Sequence, residues 1–285
     1  AQLPRDVLMG VNTMVDSYRG DVSCSSLLVD PSRSATGAPL FGRNLDYFTL
    51  GKLHKYTLVT VYRPTNKHAF VSVTFPGLFG CLSGMNDAGL AIAVHEVFFS
   101  RDHSPVFDAE GVPYLLAFRR ILEECTTIDE AEALLKSLKP TTWMNLTVCD
   151  RDGGATFEIT PDHIGRRDDE EGLVRCTNHF RCKGMSVGEE CWRFDLLTDV
   201  PNKPLDVAAV QQRLMDDLVA AGVSAIMVSA VDPKSSTDAL NRVGGQVPLF
   251  TTDSDAPDTN RIAYIGSSNT EAGKQAGEIA LKALP

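Results

Sequence analysis

The chain has 285 residues, of which 43% are hydrophobic and 22% are charged, enough for one large domain or two modest ones. No run of 18 or more apolar residues occurs, so the sequence predicts no membrane span, and residues 1–5 lack the apolar stretch of a signal peptide. The formal net charge of -10 argues against nucleic acid as a partner, because phosphate binding relies on clustered Lys and Arg.

The seven cysteines lie between residues 24 and 191. They are too few and too scattered for the disulfide scaffold of a small secreted domain. The grouping of Cys176, His179, Cys182 and Cys191 offers a zinc-site interpretation, but structural zinc sites usually take their ligands from closely spaced pairs such as Cys-x-x-Cys. Because the grouping has no such pair, the sequence favours small buried thiols and predicts neither a metal nor a cofactor.

Residues 25–95 have the pattern of a sheet. β-Branched and aromatic residues fill short runs, and Gly, Pro and Asn-Asp punctuation separates the runs. The predicted strands cover residues 26–29, 39–46, 56–62, 69–75 and 89–95.

Two helices and a second set of strands follow. The first helix is predicted near Val112–Cys125, and the second at about Ile128–Leu138 behind a capping box of Thr127 and Glu130. Strand character returns in residues 144–150, 155–160 and 173–180. The order of sheet, helix pair and sheet predicts an α+β layered domain.

Helices alternate with short apolar strands after about Leu205. Helices are predicted at 207–221, 235–243 and 271–284, and strands at 225–231, 247–253 and 261–267. This alternation is typical of a doubly wound parallel sheet, so we place a domain boundary between Leu205 and Gly222. The predicted domains are residues 1–210 and residues 211–285, the second being a partial α/β, Rossmann-like lobe.

A thiol stands at the entry of the first strand, at Cys24, and the next strand ends in Gly42-Arg43-Asn44-Leu45-Asp46. If the two strands pair as a hairpin, both segments reach the same end of the sheet. A thiol with a reference pKa of about 8.5 is a weak nucleophile at neutral pH until a cation lowers its pKa or a base takes its proton. Arg43 is the candidate cation.

The α-amino group of Cys24 itself is the candidate base, because its reference pKa of about 7.7 to 8.0 leaves a neutral fraction at pH 7. The amine must be free, so the Ser23-Cys24 bond has to be cleaved and residues 1–23 resemble a propeptide. Asp46 would then hold the amine while Arg43 orients the thiol. A cysteine at a strand start also fits a small buried residue with no catalytic role.

Five segments follow one another in the first two thirds of the chain: Cys24-Ser-Ser, Gly42-Arg-Asn-Leu-Asp-Tyr, Gly84-Met-Asn-Asp-Ala-Gly-Leu-Ala, Asn145-Leu-Thr-Val-Cys-Asp and Cys176-Thr-Asn-His-Phe. In this order they resemble the N-terminal nucleophile hydrolases of the penicillin acyltransferase type, to which bile salt hydrolases are related. The resemblance covers about residues 5–215. It implies an αββα sandwich, self-cleavage before Cys24, and attack on a linear amide to give a thioester acyl-enzyme.

The resemblance also supplies the candidate site residues, carried over by position. The catalytic candidates are Cys24 as the nucleophile, Arg43 and Asp46 as its orienting groups, and Asn178 as an oxyanion or amine-holding donor. The substrate-binding candidates are Asn44, Asn86 and Glu96.

Two positions depart from the pattern of the family. Glu96 follows Val94-His95 where bile salt hydrolases carry a second oxyanion Asn, and Ser23 replaces the Gly often found before the cleavage point. The stretch Asn86-Asp87-Ala88-Gly89 also fits a hairpin turn.

Three segments near the end of the chain begin at Gly222, Gln246 and Tyr264, and they resemble the sugar-binding periplasmic proteins of ABC transporters. Ligands of open parallel sheets bind beyond the carboxyl ends of the strands. The candidate sugar-binding residues there are Asp232, Asp253, Asp255 and Asn269. Only about 70 residues, part of one lobe, match such a clamp, so weak binding or none is expected.

The sequence therefore predicts an autoprocessed cysteine amidohydrolase or acyltransferase with a small-molecule acyl amide as its substrate. One alternative is a sugar-binding module, and another is an inert precursor or fusion, since the uncut chain has no catalytic amine. Thiol-dependent amide hydrolysis favours the enzyme, whereas stabilisation by sugars favours the binding module.

Overall fold

The computed structural model describes residues 4–17, 23–46, 56–188, 190–230, 233–234, 236–252 and 254–266. Two compact units divide the chain, residues 1–206 and residues 207–285. The sequence-based division at residue 210 falls inside a helix that spans Val207–Ala220. None of the helices in the described ranges is long and apolar enough to cross a membrane.

The described residues of the first unit form four helices and ten strands. The helices are α1 (Arg5–Ser17), α2 (Tyr114–Glu124), α3 (Ile128–Lys136) and α4 (Trp192–Thr198). The strands are β1 (Ser23–Val29), β2 (Leu40–Asp46), β3 (Leu58–Tyr62), β4 (Phe70–Thr74), β5 (Ser83–Asn86), β6 (Ala91–Glu96), β7 (Met144–Cys149), β8 (Gly154–Ile159), β9 (Ile164–Arg167) and β10 (Leu173–Cys176).

The larger sheet of the described part of this unit is an antiparallel meander of seven strands in the order β3 to β9. One of its faces is covered by α1, α2 and α3. The apolar stripe of α2, with Leu115, Phe118 and Leu122 at helical spacing, is buried against Leu146 and Phe157 of the sheet. The main hydrophobic core therefore lies between the helices and this sheet.

Helix α3 begins at the capping box that the sequence predicts. The Thr127 side chain accepts a hydrogen bond from the Glu130 amide, and the Glu130 side chain accepts one from the backbone of Thr127. This prediction is confirmed.

The smaller sheet has the order β10-β1-β2 among the described strands and covers the other face of the seven-stranded sheet. Leu28 of β1 packs with Cys149 and Val174 between the two sheets. Helix α4 contacts β1 and β10 on the outside. The layers are thus helix, sheet, sheet and helix, and the predicted αββα sandwich of α+β class is confirmed.

Helix α1, which the sequence analysis does not predict, is built into the helix layer. The Asn12 Oδ1 atom accepts a hydrogen bond from the Phe79 amide, and Val15 lies in the main core. The Asp16 Oδ1 atom accepts one from the Tyr114 amide at 2.9 Å, which caps α2 where the N-cap residue Pro113 offers no side-chain bond. Residues Arg5–Ser17 are therefore part of the folded unit.

The second unit has alternating helices and parallel strands, as predicted. Its described elements are α5 (Val207–Ala220), β11 (Ile226–Val228), α6 (Thr237–Gly244), β12 (Leu249–Thr252) and β13 (Ala263–Ile265). The strands pair in parallel in the order β11-β12-β13. A small core that includes Met215, Leu240 and Leu249 holds the helices on the sheet. The predicted helix at 271–284 lies outside the described residues.

Candidate active site

The hairpin of β1 and β2 places Cys24 at the end of the smaller sheet. The two strands pair antiparallel, with Cys24 opposite Leu45 and Ser23 opposite Asp46. Side chains alternate along a strand, so Cys24, Ser26 and Arg43 share one face of the hairpin. This is the inner face, because the Ser26 hydroxyl lies 3.3 Å from the Thr147 hydroxyl of the larger sheet. The predicted hairpin is confirmed, and Asp46 stands beside the Ser23-Cys24 bond.

The Cys24 thiol is enclosed in the uncut chain, with 1% of the residue exposed. Burial raises the pKa of this thiol, and the nearby Arg43 guanidinium, the Glu96 amide and the Asn178 side chain work in the opposite direction. Burial has the larger effect, so the pKa lies above the usual value of a cysteine. In this form of the chain, Cys24 is a neutral thiol.

The guanidinium of Arg43 is fixed between the two sheets. Its Nη1 atom donates to the Leu82 carbonyl at 3.0 Å and to the Ser83 hydroxyl, and its Nη2 atom donates to the Val94 carbonyl at 2.7 Å. Burial lowers the pKa of Arg43, while the neighbouring Cys24 raises it. An arginine side chain stays protonated in a protein even when burial lowers its pKa. Arg43 is therefore a permanent positive charge held next to the thiol.

Asn178 joins Cys24 to the end of β6. The Cys24 amide donates to Asn178 Oδ1 at 2.7 Å, and Asn178 Nδ2 donates to the Glu96 carbonyl at 2.8 Å. The Glu96 amide in turn interacts with the Cys24 sulfur. The structure thus brings four of the candidate residues together: Cys24, Arg43, Asn178 and, through its backbone, Glu96.

The segment that carries Asn178 is held from two sides. Asn145 Nδ2 donates to the carbonyls of Thr177 and His179, at 3.1 and 3.0 Å. The buried carboxylate of Glu158 accepts hydrogen bonds from the amides of Arg181 and Cys182. The position of Asn178 is therefore fixed by the seven-stranded sheet, to which both holding residues belong.

His95 is a buried neighbour of this site to which the sequence analysis assigns no role. It lies on the same face of β6 as Ala93, directed between the sheets, and is fully buried. Burial lowers its pKa well below the usual value, and the charges of Arg43 and Arg193 add to this effect. The imidazole is therefore neutral. In the sequence, the alternation of side chains along β6 is the signal that indicates that His95 points between the sheets.

Two of the predicted substrate-binding residues do not face the thiol. Asn44 lies on the outer face of the hairpin, where its Nδ2 atom donates to the Ser25 hydroxyl at 3.3 Å. Asn86 is buried, and its amide donates to the carbonyls of Leu122 and Cys125 and accepts from the amides of Ala88 and Leu90. Asn86 thus closes the turn after β5, and the substrate-binding role of both residues stays a prediction that these contacts do not support.

Of the four predicted sugar-binding residues, the structure describes Asp255. Asp255 forms an ion pair with Arg261, with oxygen to nitrogen distances of 2.5 and 2.7 Å, and it also accepts from the Thr251 hydroxyl. Its carboxylate is engaged by partners within the second unit, and its sugar-binding role stays a prediction. Asp232, Asp253 and Asn269 lie outside the described residues.

Two family models match the chain. The model described as acyl-coenzyme A:6-aminopenicillanic acid acyl-transferase matches residues 33–213, which is more than half of the chain and begins after Cys24. A periplasmic binding protein domain model matches residues 192–285.

An uncharacterized protein of Archaeoglobus fulgidus is 24% identical over 210 residues, which make up 62% of this chain and 34% of that protein. The chain thus spans about a third of the length of this curated relative.

Solved structures similar to the chain include the following two. An N-acylethanolamine-hydrolyzing acid amidase ortholog of Caenorhabditis elegans is similar with a TM-score of 0.52 at 16% identity, covering 67% of this chain and 85% of that one. A variant of conjugated bile acid hydrolase from Clostridium perfringens gives a TM-score of 0.39 at 19% identity, covering 53% and 52%. The similarity to the acid amidase ortholog is a similarity of fold. By the extent of the family match, the chain belongs to the acyl-coenzyme A:6-aminopenicillanic acid acyl-transferase family.

Proposed function

We propose that this protein is a self-cleaving enzyme that hydrolyses or transfers the acyl group of linear amides, with Cys24 as its nucleophile. Membership of the acyltransferase family supports an enzyme of the amidohydrolase or acyltransferase kind. The finer assignment, a cysteine activated by its own amine, is argued from the geometry around Cys24.

One arrangement carries the proposal: Arg43 lies beside the sulfur of Cys24 while Asn178 holds the nitrogen of the same residue. A fixed cation favours a thiolate, because it stabilises the charged form of the sulfur. The carboxamide oxygen of Asn178 accepts from the Cys24 nitrogen at 2.7 Å, and an amine released at this position keeps that acceptor. Both atoms that the chemistry requires are thus oriented before the chain is cut.

Self-cleavage is the first step. The Cys24 sulfur adds to the carbonyl carbon of Ser23, the bond from that carbon to the Cys24 nitrogen breaks as the nitrogen takes the thiol proton, and water then hydrolyses the thioester. This releases the carboxyl group of Ser23 and the free amine of Cys24. Asp46 pairs with Ser23 across the hairpin, which supports a role for its carboxylate in holding that new amine.

Substrate chemistry follows from the same groups. The free amine takes the thiol proton, the thiolate attacks the amide carbonyl, and the departing amine of the substrate receives the proton. The Glu96 amide, which interacts with the sulfur, is placed to donate to the oxyanion of the tetrahedral intermediate. One such donor contributes about 10²- to 10³-fold in rate. Water or an amine then takes the acyl group from Cys24.

Intact-mass analysis tests the proposal. The wild-type chain is expected to split between Ser23 and Cys24, whereas Cys24→Ala stays whole because it has no sulfur to attack the bond. Cys182→Ala is the matched control, since Cys182 is a partly exposed thiol away from the hairpin, and it is expected to split like the wild type.

The cleaved wild type should then release amine from an acyl anilide, and alkylation of its thiols should stop the release. If the wild type and Cys24→Ala give the same mass pattern, self-cleavage by Cys24 is wrong.

A further inference from the structure

The smaller sheet covers only part of the inner face of the larger sheet. Strands β6, β7 and β8 lie under it, and their inner residues Ala93, Thr147 and Thr156 are buried. From β6 the larger sheet continues through β5 and β4 to β3 at its edge. Because the smaller sheet has three described strands and the larger sheet has seven, the inner face of β3, β4 and β5 is left without a covering strand in the described part of the chain.

The strand register identifies the side chains on this uncovered face. Paired residues point to the same side of a sheet, and the Ser83 hydroxyl accepts a hydrogen bond from Arg43 between the two sheets, so its side is the inner one. Six residues that pair across β3, β4 and β5 share that side and together form the valine face: Val59, Val61, Val71, Val73, Ser83 and Met85.

The valine face is apolar and open to solvent. Val59 is 69% exposed, Val61 is 56% exposed, Val73 is 44% exposed and Met85 is 50% exposed. An antiparallel sheet that meets water on one side normally turns polar residues towards it. Contiguous exposed apolar patches mark interaction sites. The valine face therefore has the composition of a surface that is buried in an assembly.

A groove borders the valine face on the side of the smaller sheet. Its volume is about 700 Å³, and it lies between Phe41 and Arg43 of β2 and Met85, Ala91 and Ala93 of β5 and β6. Phe41 and Ala91 also pack against the buried cluster between the two sheets. The groove and the valine face thus continue an interface that already exists within the chain, and a strand added beside β2 would extend it.

Charge does not oppose a second copy of the chain at the valine face. None of its six side chains is ionisable. Two chains that each carry a formal net charge of -10 can therefore bring these faces together without placing like charges against each other.

A two-fold axis fits two valine faces to each other. Packed sheets stand about 10 Å apart, which is the level of the smaller sheet above the larger one. An axis along β4, midway between these levels, places β5 of one copy over β3 of the other, and each β3 then enters the groove beside β2 of the partner. The contact is the same in both directions, so the assembly closes at two copies.

The size of the valine face sets the strength of such a contact. Three strands at a spacing of about 4.8 Å, with five residues at about 3.3 Å each, cover roughly 240 Å² in plan. Two such faces and their grooves correspond to the low end of specific interfaces, below about 1,200 Å² of total buried surface. We therefore expect an association that reverses on dilution.

We infer that the valine face is the contact surface of a homodimer, in which two copies of this chain cover each other's uncovered half-sheet. The contact does not involve the chemistry at Cys24, so it is tested independently of the proposed function.

Sedimentation velocity of the full chain measures the association. Over about 1 to 500 μM, a range that suits an interface of this size, the wild type is expected to change from one chain to two. Val59→Glu and Val61→Glu should remain single chains throughout, because a dimer would bury unpaired carboxylates. A wild type that stays a single chain over this range, or whose mass keeps rising beyond two chains, overturns the inference.

Ile262→Glu is the matched control. Ile262 is 64% exposed and belongs to the second unit, so this variant gains the same charge away from the valine face and should associate like the wild type. Dimers that persist in both valine variants, or that are lost in Ile262→Glu as well, overturn the inference.

Urea unfolding at low concentration checks that the variants still fold. Val59 and Val61 are largely exposed in the single chain, so the midpoints of their variants should match that of the wild type. Val61→Thr keeps the shape and the strand preference of valine, and it should raise the dissociation constant of the dimer because it buries a hydroxyl without a partner. An unchanged dissociation constant in Val61→Thr counts against the inference.

Discussion

Replacing Glu158 by Gln is expected to destabilise the first unit strongly. The carboxylate of Glu158 is fully buried and accepts from the Arg181 amide at 2.8 Å, from the Cys182 amide at 2.7 Å and from Arg167 Nε at 3.1 Å. A glutamine keeps one acceptor oxygen and turns an NH2 group towards donors. Breaking a buried charge pair from one side costs about 3 to 5 kcal/mol, against a total stability of about 5 to 15 kcal/mol for a typical protein.

Urea unfolding followed by tryptophan fluorescence measures this effect in the first unit alone, because both tryptophans, Trp143 and Trp192, belong to residues 1–206. The matched control is Glu110→Gln, which removes a carboxylate whose side chain is 86% exposed beside Lys139, and no measurable change is expected there. A loss below about 1 kcal/mol in Glu158→Gln would show that these hydrogen bonds do not hold the loop. The reasoning about how Asn178 is positioned would then be wrong.

Two further predictions concern the helix layer and a pair of carboxyl groups. Asn12→Ala removes the acceptor of the Phe79 and Gly80 amides, which should lower the free energy of unfolding by about 1 to 3 kcal/mol in the same assay. Thr13→Ala is the control and should change little, because it removes only a solvent-exposed hydrogen bond to the Met9 carbonyl. Burial and the neighbouring Asp169 carboxylate raise the pKa of Asp30 from 3.8 to about 6. Its protonation therefore stabilises the fold fully below pH 3.8, and this contribution is lost as the pH rises through about 6. The wild type should lose stability relative to Asp30→Asn between pH 5 and pH 8, and parallel urea midpoints for the two proteins would contradict this.

The local pattern of the sequence was sufficient for most of the strands, for α2 and α3 and for the hairpin at Cys24, whereas the αββα layering came from the family resemblance. Alternating apolar residues and turn signals mark the strands, and the capping box of Thr127 marks the start of α3. These signals act between residues that are close in the chain, so they can be recognised without the fold. The antiparallel pairing that puts Asp46 opposite Ser23 follows from two adjacent strands and a short connection.

The sequence alone determined that Cys24 and Arg43 lie at one end of a hairpin and that Asn178 belongs to a separate segment. Only the tertiary structure decided that Asn178 reaches the Cys24 nitrogen, that Asn86 is occupied in a turn, that helix α1 joins the core, and that His95 lies buried near the site. The physical reason is that hydrogen bonds and burial join residues far apart in the chain. The Cys24 amide and Asn178, for example, are 154 positions apart, and no local pattern encodes which distant donor meets which acceptor.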